Sequence, residues 1–273
     1  MENELKTDLL EWCRSQGISL VGVADARRWE NPPFQPWMPP EFYPRSIFPE
    51  TESVIVIGLP VLLPIIETTP SIYYHEHYNT LNRLLDQFTY LIAERLNACG
   101  YPSVPIPRDG YGSIDVLREK PLAFFSHRHA AFLAGLGTFG MNNMILTPRY
   151  GPRVRFSSVF TAAPLPPDPL LQEDLCTRCR KCVEMCPSGA LPDEMYPAGL
   201  TRKRACTDYS ADLHRKYISP CGACIMVCPV GRDRDHFNRD ARDLSLPEGK
   251  ESPRGRARSH VQAYGGKSTS GEE

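Results

Sequence analysis

The sequence predicts an α/β (α+β) amino-terminal domain followed by a compact cysteine-rich module, and three observations carry that expectation. Stretches with helical 3.6-residue periodicity alternate with short β-branched apolar runs in the first part of the chain. Eight of the ten cysteines fall between Cys176 and Cys228. Between the two regions, Pro164–Pro169 reads Pro-Leu-Pro-Pro-Asp-Pro, a stiff linker and a natural boundary. The predicted organisation is residues 1–165, residues 166–248 and a tail, 249–273. The tail is Gly/Ser/Arg-rich, has few large apolar side chains to bury, and is expected to be disordered.

Composition removes several function classes. With 273 residues and a formal net charge of -1, the chain offers no electrostatic case for a nucleic-acid or membrane surface. It has no apolar run of about 18 residues, so no transmembrane helix is expected. Met1 to Asp8 is charged and lacks the apolar core of a signal peptide. Proline is frequent, 27 residues, which predicts long irregular connections.

In chain order, residues 3–16 read as an amphipathic helix, with Leu5, Leu9, Trp12 and Cys13 on one stripe and Gly17 as its stop. Ile18–Ala24 follows as a short apolar strand. A proline-rich connector, Asp25–Glu52, carries Trp29, Phe34, Trp37, Phe42 and Tyr43, aromatics that wrap a core or wall a pocket. Ser53–Leu59 contains the unbroken apolar run Val54-Ile55-Val56-Ile57 and is expected at the centre of a sheet. The longest predicted helix is Tyr74–Cys99, with Leu81, Leu84, Leu85, Phe88, Ile92, Leu96 and Cys99 in one stripe and Gly100 as its stop. Cys13 and Cys99 both close apolar stripes, so both are expected in the core. Ser126–Gly137 reads as a shorter helix, and Asn143–Thr147 and Arg153–Ala162 as strands. Arg149, Arg153 and Arg155 are candidates to meet a phosphate, or else face solvent by strand alternation.

The cysteines carry the strongest chemical signal. The first run is Cys176-x2-Cys179-x2-Cys182-x3-Cys186-Pro187. The second is Cys221-x2-Cys224-x3-Cys228-Pro229, with Cys206 ahead of it. The first has the spacing of bacterial ferredoxins, where three close thiolates hold one [4Fe–4S] cube and the fourth reaches to the other. Two intervening residues let one loop aim successive sulfurs at different irons, and the Cys-Pro turn sends its own sulfur elsewhere. The expectation is a C-terminal ferredoxin-like double [4Fe-4S] module. Cys176, Cys179, Cys182 and Cys228 would hold the first cluster. Cys186, Cys221, Cys224 and, for want of a closer ligand, Cys206 would hold the second. Zinc would use paired Cys-x2-4-Cys ligands without the interlocked Cys-Pro, and a disulfide framework belongs to small secreted chains. Clusters and free thiols suit a reducing, cytoplasmic setting.

Ahead of this module, Ala134-Gly135-Leu136-Gly137 closes a predicted helix and leads into Thr138-Phe139-Gly140-Met141-Asn142-Asn143. A dinucleotide fingerprint follows a strand and opens a helix, so the reversed order argues against NAD. Three glycines in this stretch instead bare a backbone that can approach a flat ligand.

The cysteine pattern, the Ala134–Asn142 loop and the helix–strand order resemble the epoxyqueuosine reductase family and its reductive-dehalogenase relatives over roughly Tyr73–Gly231. The resemblance implies a corrinoid, cobalamin, on the α/β domain, reduced through the two clusters. It implies corrinoid contact by Gly135, Leu136, Gly137, Gly140 and Asn142, and supports Cys206 as the last ligand of the second cluster. In the family an acidic residue, proposed as proton donor, precedes the helix ending in Ala-Gly-Leu-Gly. Here that position holds Pro121, leaving Asp115 and His127 as catalytic candidates nearby. Met141 stands where the family usually has lysine, and the helical repeats that help its members grip tRNA have no counterpart in this sequence. These departures count against tRNA as substrate.

The function implied is an iron–sulfur oxidoreductase acting on a small or nucleoside-like substrate, with a ferredoxin or flavodoxin as electron donor and no membrane partner. The alternatives are an electron-transfer protein that reduces a partner without a corrinoid of its own, and a maturation factor with structural clusters. The large α/β region is more than two cubes need for support, which argues against a plain ferredoxin.

Overall fold

The computed structural model describes residues 2–109, 116, 119, 123–237 and 253–265. Asp115 and Pro121 lie outside the described residues. The strands are Leu20–Asp25 (β1), Ser53–Pro60 (β2), Ser103–Ile106 (β3), Thr138–Phe139 (β4), Ile145–Leu146 (β5) and Val154–Thr161 (β6). Four of them form a sheet of order β1-β2-β6-β3 in which every neighbouring pair is antiparallel, and β4 pairs with β5 in a separate ribbon. In the central register Val56 stands opposite Gly22 on one side and Ser158 on the other.

Strand alternation divides β2 between two cores. Ile55, Ile57 and Leu59 join one apolar cluster, and Val54 and Val56 join the other. Both faces of the sheet are covered, which is why β2 is apolar throughout. Among the described residues, four α-helices precede β3: Glu2–Ser15 (α1), Pro44–Ile47 (α2), Leu63–Ile66 (α3) and Ile72–Ala98 (α4). On one face α1 and α4 bury Leu9, Cys13, Leu85, Ile92 and Leu96. The other face is packed by the short helix His127–Leu133 and the connector, with Trp29, Phe125 and Phe160 in its centre. The connector aromatics thus serve a core: Phe34 lies edge-on to Trp37, Phe132, Phe139 and Tyr196.

Differences from the sequence reading have physical causes. Strand β3, to which the sequence reading assigned no element, carries Pro105 and follows Pro102. It is an edge strand bonded to β6 alone, the one place in a sheet that tolerates proline. The helix predicted to reach Gly137 stops at Leu133, because Gly135 turns the chain at φ 70°. Cys99 is exposed, not core: it caps α4, beyond the last turn whose stripe faces the sheet. The tail expected to be disordered carries a helix, Pro253–Gly265, packed on α4, with the Gln262 amide donating to Thr68 O at 3.5 Å.

The segment predicted as a linker runs as a strap beside β1. Asp168 accepts from Val23 N at 2.8 Å and from Lys6 Nζ at 2.7 Å, and its own N–H donates to Val23 O at 2.8 Å. Among the described residues, no helix is long and apolar enough to cross a membrane.

Candidate metal centre

The two Cys-x2-Cys loops fold alike. Arg180, between Cys179 and Cys182, has φ 62°, and Gly222, between Cys221 and Cys224, has φ 66°. Each precedes a single helical turn, Lys181–Glu184 and Ala223–Met226. A left-handed residue beside helical ones turns successive N–H groups to one side, a concavity suited to an anionic group. The long helix α4 anchors the second loop from outside. Thr69, just ahead of α4, donates its hydroxyl to Cys221 O at 2.5 Å, and His75 Nδ1 donates to Ser219 O at 2.6 Å. A Cβ on Gly222 would stand 2.6 Å from the Tyr74 ring.

Electrostatic neighbours divide the eight thiols into two fours. Burial and then Cys228, Cys176 and Cys179 push the Cys182 thiol up to about 12. Burial pushes Cys228 up to about 11, with Cys179 and Cys176 as its thiol neighbours. In the other group Cys221 is pushed up to about 11 by burial, with Cys206 and Cys186 beside it. Burial and then Cys186 raise Cys206, and burial followed by Cys221 and Cys206 raises Cys224. Cys182 is also a neighbour of Cys224, so the two fours adjoin.

This donor set fits two [4Fe–4S] clusters. Thiols crowded in fours, several of them raised by desolvation, ionise at little cost only around a cationic core, which the iron–sulfur cube supplies. Hydrogen bonds that favour thiolate are already in place. Burial raises Cys186, but the Ser188 hydroxyl and the N–H groups of Ala190, Ser188 and Leu191 outweigh it and hold the thiol below its ordinary value. The Ala190 N–H lies 3.2 Å from Cys186 Sγ. Among the described residues, no three His, Cys, Asp or Glu side chains converge tightly enough for a single ion. Four sulfurs around a cube stand farther apart than four around one ion.

The glycine loop reaches this centre, for a reason other than the one the sequence suggested. A cavity beside the first group is lined by Cys176, Cys179, Cys182 and Cys228 together with Gly140 and Asn142. Asn142 donates to Cys224 O at 3.3 Å and accepts from Met144 N at 3.1 Å. A Cβ on Gly135 would stand 2.0 Å from Pro169 O, and one on Gly137 would stand 2.1 Å from Leu146 O. Leu136 packs over Gly22. The bare backbone at Gly135 and Gly137 is already in contact with the protein's own carbonyls, so folding accounts for these two glycines.

His127 is a structural residue. Its Nε2–H donates to Pro107 O at 2.9 Å, an acceptor-only partner that fixes the tautomer, and Nδ1 accepts from the Ser158 hydroxyl at 2.9 Å. Burial pulls it down to about 4. Neither ring nitrogen is left for a substrate. His129 is held the same way, 2.7 Å from Ser126 Oγ and 2.6 Å from the Tyr196 hydroxyl. The strand arginines do not form a phosphate site either. Arg155 lies over the Tyr78 ring and pairs with Asp109, Arg149 lies over Tyr150, and Arg153 is wholly buried.

Two groups that join the α/β region to the cysteines were missed in the sequence. Asn143, at φ 55°, donates to Gly199 O at 2.9 Å and accepts from Thr201. Arg153 pairs with Asp233 across 80 positions. An Asn beside a glycine-rich turn is a usable signal for a left-handed position, whereas nothing local marks the Arg153–Asp233 pair.

A mixed α/β region with an antiparallel sheet, joined to two paired cysteine loops, defines an iron–sulfur protein class. The family model described as a 4Fe-4S binding domain matches residues 169–191. Epoxyqueuosine reductase of Listeria monocytogenes is 36% identical over 116 residues, covering 39% of this chain and 30% of that protein. Tetrachloroethene reductive dehalogenase of Desulfitobacterium hafniense is 26% identical over 193 residues, 65% of this chain and 32% of that protein. Among solved structures, epoxyqueuosine reductase with an epoxyqueuosine-modified tRNA-Tyr stem loop superposes with a TM-score of 0.57 at 23% identity, covering 83% of this chain and 65% of that one. A reductive dehalogenase described for B12-dependent dehalogenation superposes with a TM-score of 0.61 at 18% identity, covering 96% of this chain and 36% of that one. The chain is distantly similar, over part of its length, to epoxyqueuosine reductases and reductive dehalogenases, and it carries a 4Fe-4S binding domain. It spans about a third of the length of these curated relatives.

Proposed function

We propose that this protein is an iron–sulfur reductase that moves low-potential electrons through two clusters to a corrinoid, for reduction of a small or nucleoside-like substrate in a reducing, cytoplasmic setting. The observation that carries the reading is the division of the eight thiols into two adjoining fours, each served by its own left-handed loop. When bound, [4Fe–4S] clusters supply one-electron storage and transfer. The chain's residues hold and orient them: Cys176, Cys179, Cys182 and Cys228 for the first, Cys186, Cys206, Cys221 and Cys224 for the second.

Cys206 is exposed, and the exposed side chains Arg202, Lys203 and Arg204 precede it in sequence. That basic edge complements an acidic one-electron carrier such as a ferredoxin or flavodoxin. The first group lines a cavity with Gly140 and Asn142, and its Cys179 is also exposed. A corrinoid as acceptor is supported by the reductive dehalogenase relative described as B12-dependent. A second reading, an electron carrier that reduces a corrinoid held by a partner, is favoured by the contacts that fill Gly135 and Gly137. Anaerobic, cluster-loaded protein mixed with cobalamin separates the two. A shifted visible cobalamin spectrum and co-elution support the first, whereas reduction of free cobalamin without binding overturns it in favour of the second.

A further inference from the structure

Arg153 lies one residue before β6 and is wholly buried, at 0% exposure. Its Nε and Nη2 meet the two carboxylate oxygens of Asp233 at 2.8 and 2.5 Å, a bidentate pair. The same guanidinium donates from Nη1 to Cys228 O at 3.1 Å and from Nη2 to Val230 O at 2.8 Å. From the other side Arg234, at 4% exposure, donates from Nε to Cys228 O at 3.0 Å and from Nη2 to Met226 O. Two guanidinium groups therefore converge on the carbonyl of the cysteine that leaves the second run to complete the first group. The chain makes room for them: a Cβ on Gly231 would stand 2.5 Å from Arg153 Nη2.

Asp233 pairs with Arg153, and Asp233 and Glu67 are the carboxylates that act on Arg234, so the two guanidinium groups are the charged groups bonded directly to the Cys228 carbonyl. Burial and then Arg153 lower Arg234 to about 10, so it stays charged at neutral pH. Its Nη1 is buried with no hydrogen-bond partner among the described residues. A cube with four thiolate ligands carries net negative charge in both its common oxidation states and one unit more when reduced. Buried positive charge beside its ligand therefore favours the reduced form, with little screening by solvent. The cations near the second group, Arg128 and the exposed Lys203, meet more water and are screened more.

We propose that Arg153, Asp233 and Arg234 set the reduction potential of the first cluster, making it the more readily reduced of the two and directing electrons from the second group to the first. The proposal rests on the two-cluster reading above. One electron supplied by the carrier protein reduces the second cluster, which is reoxidised as the first is reduced.

The test is a potentiometric titration of anaerobic full-length protein followed by electron paramagnetic resonance, with iron content measured on each sample. The first cluster is identified by its loss in Cys228→Ser. Asp233→Asn, which removes the negative charge, raises the first midpoint potential and leaves the second unchanged. Arg234→Met lowers the first, and Arg234→Lys, which keeps the charge, restores it. Should Arg234→Met lose iron, Asp233→Asn, which keeps the arginine bonds to Cys228 O, decides alone. Shifts of the same sign in Asp233→Asn and Arg234→Met, or no shift with iron intact, overturn the proposal. Wild-type protein with one cluster, or none, defeats the two-cluster reading itself and the proposal with it.

Discussion

The side-chain oxygen of Asn143 accepts two hydrogen bonds from Thr201, from its N–H at 2.7 Å and its hydroxyl at 2.9 Å. Asn143 belongs to the glycine loop of the α/β region and Thr201 to the stretch between the cysteine runs, so this one amide pins the two regions together. Asn143→Ala leaves the Thr201 N–H and Gly199 O without partners and puts Ala at φ 55°. Each orphaned buried group costs about 1–3 kcal/mol. The expected outcome is a thermal midpoint lower by roughly 5–10 °C and faster loss of iron on dilution. An unchanged melt would show that the joint is held elsewhere.

Iron stoichiometry tests the cysteine partition. Anaerobic protein is expected to hold about eight irons and eight acid-labile sulfides per chain. Cys228→Ser is expected to damage the cluster of Cys176, Cys179 and Cys182, although Cys228 sits in the other run. One tightly bound zinc, or an iron count near four, contradicts the assignment.

The two remaining cysteines separate by exposure. Cys13 is buried, and burial pushes its thiol up to about 12, whereas Cys99 is exposed. In the folded protein Cys99 is expected to react with a thiol reagent and Cys13 to resist it. Cys13→Ala costs about 1–2 kcal/mol by cavity formation, and Cys99→Ala stays within about 0.5 kcal/mol. Neither lowers iron content. Iron loss in Cys99→Ala would remove Cys206 from the ligand set.

Gly137→Ala distinguishes folding from ligand approach. The added Cβ would meet Leu146 O at 2.1 Å, so backbone has to move. Destabilisation of about 1–3 kcal/mol is expected from overpacking, measured by denaturant melts with no cobalamin present. A variant as stable as the parent that has lost cobalamin binding would return this glycine to the role the sequence suggested.

Acid stability follows from the buried histidines. Burial holds His127 at about 4 and His129 at about 3, below the ordinary value of about 6.5 in the unfolded chain. Between those values the unfolded chain binds more protons than the native one, so stability rises with pH there. It is fully present above about pH 6.5 and is lost as pH falls towards 4 and then 3. Melting midpoints measured across pH 4–7 should fall on acidification, and His127→Gln should flatten the slope. A slope unchanged in that variant would mean that His127 titrates alike in both states.

Local chemistry was legible in the residues. The unbroken run Val54–Ile57 announced a central strand because a strand covered on both faces leaves no polar positions. The stripe from Leu81 to Leu96 announced α4 because helical period and burial coincide along a single segment. The cysteine spacings announced the metal centre for a similar reason: a Cys-x2-Cys loop is a closed local geometry, and its thiols need no distant partner to be recognised.

What the tertiary structure decided is everything that depends on which distant atoms meet. Pro105 became part of a strand because β6 was there to pair with, and Cys99 fell outside the core because α4 ends one step beyond the sheet. Gly135 and Gly137 had the composition of a ligand loop, yet the Pro169 and Leu146 carbonyls occupy the space their side chains would take. His127 lost its standing as an acid through Pro107 and Ser158. By spacing alone Arg153 was one of several strand arginines. Its pairing with Asp233 and its contact with Cys228 come from folding the end of the cysteine module back against β6. Periodicity and spacing are properties of one stretch of chain, whereas burial and charge compensation belong to contacts between stretches.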